Sequence, residues 1–270
     1  MFGTWTVRLL LVGTVVVAGW LGFVQREAHI ATTPASESPP VPLVVETKGN
    51  SAVPALTPPA SEESTAADTP LEEARGVVAR GVVRLDVPFV SQAPYRVWSL
   101  PYKEFCEEAS VLTLHLFASG ERVDTASELD AALMDIKQWE EEHLGTWEDT
   151  TVAETARILR EKFGHENTRE VRFVTIADIM AAIDAGKPVI VPARGRELDS
   201  PYFTPPGPLY HMLVIIGYDD ARQEFITNDV GTNTKGAGQR YTYDDLYGAI
   251  ADWMHEDGAP TGGKAMIVLD

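Results

Sequence analysis

Between Glu27 and Arg80 the chain has no apolar period, and that confines a folded core to the residues beyond Arg80. Phrases such as TTPASESPPVP and ALTPPASEESTAADTP mix Pro, Ser, Thr, Ala and Glu with few large apolar residues. Such a segment buries too little surface to offset its ordering entropy, so residues 27–80 are expected to form a disordered linker. Residues 81–270 are enough to close one hydrophobic core, and six Trp with 44% hydrophobic residues suit a folded protein.

Within 81–270 the periodicities change along the chain. VVRLDVPFV reads as a first strand, broken at Ser91-Gln92-Ala93-Pro94. Residues 104–117 read as a helix with Ala109, Leu112 and Leu116 on one face and Gly120 closing it. Further helices are expected near 125–142, 150–163 and 176–185. VIVPA is a short continuous apolar run of the kind found in buried strands. HMLVIIGY and EFITND then form two strands around Asp219-Asp220-Ala221-Arg222, followed by a helix over 243–254 and a closing strand AMIVL. Helices first and mostly antiparallel strands second is an α+β order.

Residues 1–26 are of another kind. Leu9 to Gln25 carries no charge, and Arg8 lies on its N-terminal side. The run is expected to be a transmembrane signal-anchor that holds the domain outside the cytoplasm, with a cleaved signal peptide and a secreted domain as the competing reading. A formal net charge of -18 argues against nucleic acid as a partner and against flat adsorption on anionic lipid. Any membrane contact therefore falls to this N-terminal segment.

The chain has a single cysteine, Cys106, which cannot form an intramolecular disulfide. It lies at the start of the expected helix, in PYKEFCEEAS, where free amides and the helix dipole favour a thiolate. Glu107 and Glu108 oppose that by charge. A buried, inert thiol is the plain alternative.

A thiol needs a base, and the six histidines offer one distinctive candidate. His29 lies in the linker, His115, His143 and His165 fall on or beside helices, and His255 comes after the last helix. His211 instead opens the apolar strand after Gly207-Pro208-Leu209-Tyr210. Folding that strand back at Asp220-Ala221 sets His211 opposite Val230 or its neighbour, and a one-residue bulge would bring Asp229 onto its face. Asp229 would then orient the imidazole, with Asn228 as a fallback. An Asn-Asp pair that merely caps the turn before Gly231 is the alternative. If His211 adjoins Cys106, their attraction is expected to lower the thiol pKa. The Cys106 amide and the upstream Gln92 side chain are candidate oxyanion donors. There is no HExxH, cysteine cluster, phosphate loop or GxSxG, so neither metal nor cofactor is expected.

The order Gln92, Cys106, His211, Asp229 resembles the papain-like C39 peptidases, and their stand-alone bacterial C39-like domains in particular. The resemblance is carried by VPFVSQAPYRVWSLPYKEFCEEAS, AGKPVIVPARG, PLYHMLVIIGYDD, EFITNDVGT and RYTYDDLYGAIADW, and spans most of 85–253. It implies a papain-like fold with Cys106 as nucleophile, Gln92 as oxyanion donor, His211 as general base and acid, and Asp229 as its orienting partner. It also implies a peptide or protein substrate. A cell-wall peptide amidase or transpeptidase would use the same four residues. A non-catalytic, surface-displayed binding module on the same fold is the reading from another class. This chain departs from the family in the long stretch between Gln92 and Cys106, expected to form a lip over the cleft, and in Val230, where such domains often have proline.

Overall fold

The computed structural model describes residues 81–270, which fall within one compact unit. The expectations for residues 1–26 and 27–80 lie outside the described residues. The transmembrane helix is corrected to this extent: among the described residues, no helix is long and apolar enough to cross a membrane.

The α+β order holds. Strand β1 (Val82–Arg84) is followed by helices α1 (Cys106–Ser119), α2 (Ala126–His143) and α3 (Val152–Arg157). The sheet half then contains β2 (Thr168–Arg172), α4 (Ile176–Asp184), β3 (Val189–Ala193), β4 (His211–Asp219), β5 (Glu224–Asn228), β6 (Ala237–Thr242), α5 (Tyr243–Ala249) and β7 (Ala265–Leu269). These strands make one seven-stranded sheet in the order β2-β7-β3-β4-β5-β6, with β1 paired to β4. Every pairing is antiparallel.

The helices begin where their side chains can satisfy free amides. Thr125 with Glu128 and Thr151 with Glu154 form reciprocal capping boxes at α2 and α3, and Thr175 with Asp178 does the same at α4. Gly120 ends α1 at φ 74°, a left-handed cap that glycine adopts without a Cβ penalty. Helix α3 runs on as a π-helical turn, Ile158–Lys162, within the stretch expected to be helical.

The central strand explains the continuous apolar run. Met212, Val214 and Ile216 of β4 join the core beneath α1, α2 and α3, while Leu213 and Ile215 join the core beneath α4 and α5. A strand with both faces covered has no polar face to show. A bulge between Ile215 and Gly217 then flips the alternation, so that Tyr218 enters the second core. Burial of each such aliphatic side chain is worth about 1.5–3 kcal/mol, and Leu213→Ala would cost about 2–5 kcal/mol.

Four elements differ from expectation. The first strand is cut to Val82–Arg84, because only the Leu85 amide extends the pairing, to the Ile216 carbonyl, before Pro88 interrupts the donor series. Helix α5 stops at Ala249, because Ile250 bridges Ala193 and the Ala251 amide bonds to the Pro192 carbonyl. Sheet pairing there overrides helix propensity. Strands β2 and β6 were not expected. Both are short, polar segments at the two ends of the sheet, with weak apolar alternation.

Candidate active site

The helical half and the sheet half meet where α1 begins and β4 begins. Cys106 is the first residue of α1, and His211 is the first of β4. Both are buried, with 6% and 2% of their surface exposed, yet both line a cleft of about 820 Å3 together with Gln92. The backbone of Met212 lies close enough to the Cys106 sulfur to favour its anion, so the strand that carries the histidine also backs the thiol.

The β4–β5 hairpin brings the acid to the base. The turn lies closer to Arg222 than expected, with Asp219 opposite Glu224, and the bulge takes back one of the two positions by Val214 and Asn228. Carried on, this register sets Gly231 opposite His211 and Asp229 two residues back on the same face. His211 Nε2 and Asp229 Oδ1 are 2.9 Å apart, with Asp229 fully buried. The Gly231 amide donates to the same oxygen at 3.0 Å. Burial alone would raise the Asp229 carboxyl, but the facing His211 ring, the Tyr241 hydroxyl and the Gly231 amide hold it below its usual range. The fallback Asn228 is spent elsewhere, donating to the Val87 and Pro88 carbonyls.

Tyr241 and Gln239 belong to this site and were missed in the sequence. The Tyr241 hydroxyl donates to Asp229 Oδ2 at 2.5 Å, and Gln239 Nε2 donates to the Tyr241 oxygen at 2.7 Å and to Ser200 Oγ at 3.1 Å. Both residues stand on β6, the strand that escaped detection. Gln239 and Tyr241 are buried in alternation with the exposed Arg240 and Thr242, a pattern that the polar residues of AGQRYT do not reveal.

The sulfur contradicts one expectation. Cys106 Sγ donates to Glu107 Oε2 at 2.9 Å, and no hydrogen bond joins Cys106 to His211. Burial pushes the thiol well above its ordinary pKa, the Glu107 carboxyl adds to this by charge and hydrogen bond, and Glu108 adds by charge. The Met212 backbone pulls the other way and is outweighed. The helix terminus therefore does not produce a lowered thiol pKa here, because its field acts inside a buried acidic pocket.

Gln92 lies beside the pair. Its amide donates to the Val230 carbonyl at 3.1 Å, while Ser91 Oγ donates to the Thr232 carbonyl at 3.0 Å. The Gln92 side-chain Nε2 donates to the Tyr102 and Lys103 carbonyls, both at 3.0 Å, and its buried Oε1 has no partner. Donation to an oxyanion would compete with one of those two bonds. Val230, at the position where proline is common, is fully buried and supplies the carbonyl that Gln92 uses.

The long stretch from Gln92 to Cys106 does reach the cleft. Arg96 and Trp98 line it from this side, and Tyr202 and Leu209 line it from the loop before β4. Trp98, Tyr202 and Leu209 stay 42%, 49% and 43% exposed, which leaves an apolar rim on two sides of a polar floor.

A helical portion packed against a mostly antiparallel sheet, with a buried cysteine and a His–Asp pair at their junction, is the arrangement of papain-like cysteine peptidases. The Peptidase_C39 like family matches residues 84–255, and the chain belongs to that family. Among solved structures it is similar to a protein described as a C39-like peptidase from Bacillus anthracis, at 15% identity and a TM-score of 0.47, over 71% of this chain and 98% of that one. No curated protein matches.

Proposed function

We propose that this domain is a thiol hydrolase of peptide bonds. Cys106 attacks the carbonyl carbon and its proton passes to His211, which returns it to the leaving amine. Water then hydrolyses the thioester, activated by the same ring. Asp229 holds the imidazole through Nε2, which leaves Nδ1 as the nitrogen that can exchange a proton in the cleft. The observation that carries this reading is His211, backed by the buried Asp229, lining the same cleft as the only cysteine. The two apolar rims support an extended peptide with bulky side chains, because each rim offers an exposed aromatic ring, Trp98 or Tyr202.

The second reading is a binding module on the same fold. It is favoured by a thiol held in its protonated form and by a Gln92 amide already spent on backbone carbonyls. Digestion of a mixed peptide library by the wild-type domain and by Cys106→Ala, read by mass spectrometry, separates them. Products with the wild type alone support the hydrolase, and no products from either support the binding module. Product masses further distinguish addition of water from transfer to an amine, the mark of a transpeptidase.

A further inference from the structure

The proposed hydrolysis leaves one buried group in contact with the reacting atom unused. Glu107 is 1% exposed, its Oε2 lies 2.9 Å from Cys106 Sγ, and its Oε1 accepts the Thr150 amide at 3.1 Å. The Thr150 bond fixes the carboxyl so that its other oxygen faces the sulfur. We propose that Glu107 sets the protonation state of Cys106: protonated, it donates a hydrogen bond to the thiolate, and ionised, it accepts the thiol proton and keeps the sulfur unreactive. This deepens the hydrolase reading and rests on Cys106 being the reacting group.

The proton balance is simple. With Glu107 neutral, the thiol proton moves to His211, and the Glu107 O–H turns to the new sulfur anion, so the buried unit stays neutral overall. With Glu107 ionised, the same transfer would leave two anions in contact inside the protein, where their repulsion is little screened. The S–H then remains on sulfur, donated to the carboxylate.

The surroundings hold Glu107 near the point of change. Its carboxyl is raised to about 8, chiefly by burial and then by the charges of Asp149 and Glu104. Titratable groups face it from every side: Cys106 and Glu108 on its own helix, Glu104 on the preceding turn, Asp149 on the loop after α2, Glu140 on α2 and Tyr210 before β4. Each of these groups is an acid, so each additional ionisation among them favours the neutral form of Glu107.

Since Cys106 is the sole cysteine, alkylation of the domain by iodoacetamide reads one site without a substrate. The experiment compares the rate of alkylation against pH in the wild type, E107Q and H211A. Glutamine keeps an acceptor for Thr150 and a permanent donor for sulfur, so it copies neutral Glu107. The ratio of the E107Q rate to the wild-type rate is expected to rise by about tenfold or more between pH 6 and pH 9, one pH unit of thiol midpoint being one factor of ten. A ratio constant with pH overturns the proposal, since altered packing alone changes access equally at all pH values. Should E107Q fail to fold, the wild type decides: a profile that flattens through pH 8 supports the proposal. A single titration at the ordinary thiol value of about 8.5 overturns it. H211A separates the two claims. If H211A still cleaves peptides at the wild-type rate, the hydrolase reading fails on its own, because Glu107 acts on the sulfur directly.

Discussion

The Tyr241 hydroxyl reaches Asp229 Oδ2 at 2.5 Å, so the carboxylate that orients His211 is itself held from its far side. One oxygen serves the imidazole and the Gly231 amide, the other the phenol, and no lone side is left to drift. Burial and the adjacent Asp229 charge keep that phenol protonated far above neutrality, so it acts as a permanent donor.

Tyr241→Phe is therefore expected to raise the Asp229 pKa. The sign comes from linkage: a carboxyl lowered in the fold contributes stability above its unfolded value of about 3.9 and loses it as pH falls through the folded value. The substitution should cost about 1–3 kcal/mol at neutral pH and move acid unfolding to higher pH. Circular dichroism against pH measures both. An unchanged acid midpoint would mean that the phenol does not support the carboxylate.

Gly231 is the tightest steric constraint on the ring. A Cβ there would lie 2.7 Å from His211 Cε1 and 3.2 Å from Asp229 Oδ1, closer than the ring can tolerate without moving. Gly231→Ala should lower turnover by about 100-fold, the scale of a misplacement near 1 Å, with the melting temperature little altered. Full turnover in this variant would show that the ring position is not critical.

The buried acids of α1 and α2 predict an alkaline weakness. Glu108 and Glu140 are fully buried, and burial chiefly raises both carboxyls well above the ordinary range, with the Glu140 charge adding to it at Glu108 and the Glu107 charge adding to it at Glu140. A group raised in the fold contributes stability below its unfolded value, about 4.3 for glutamate, and loses it as pH rises through the folded value. The melting temperature should fall from pH 5 to pH 9, by about 2–4 °C for each kcal/mol lost. Glu108→Gln should flatten that slope. A pH-independent melting temperature in the wild type would contradict neutral burial.

The rim residues should act on binding more than on chemistry. Trp98→Ala removes the exposed ring on the α1 side of the cleft and should raise KM for peptides with bulky apolar side chains several-fold, with kcat nearly unchanged. Steady-state kinetics on paired apolar and polar peptides checks this. An unchanged KM for both peptides would place Trp98 outside the binding surface.

The features legible in the sequence were those fixed by strong local rules. The apolar run of β4 and the glycine after α1 are each set by their own neighbours. The His211–Asp229 pairing needed only a hairpin and a bulge, so it could be anticipated although the turn position was off by a residue. The state of the thiol could not. Helix position and the identities of Glu107 and Glu108 pull in opposite directions, and depth of burial decides between them, which no local pattern records. Tyr241 was hidden because β6 is polar on one face and contacts the site only through the tertiary sheet order.

The central claim is that Cys106 forms an acyl-enzyme with help from His211. An acyl probe presented on a short apolar peptide, followed by intact-mass measurement, tests it in the wild type, Cys106→Ala and His211→Ala. The account predicts one acyl adduct on the wild type, none on Cys106→Ala, and acylation slowed by at least about 100-fold on His211→Ala, the lower end of general-base contributions. Equal acylation of the wild type and His211→Ala, or an adduct that persists in Cys106→Ala, would contradict it.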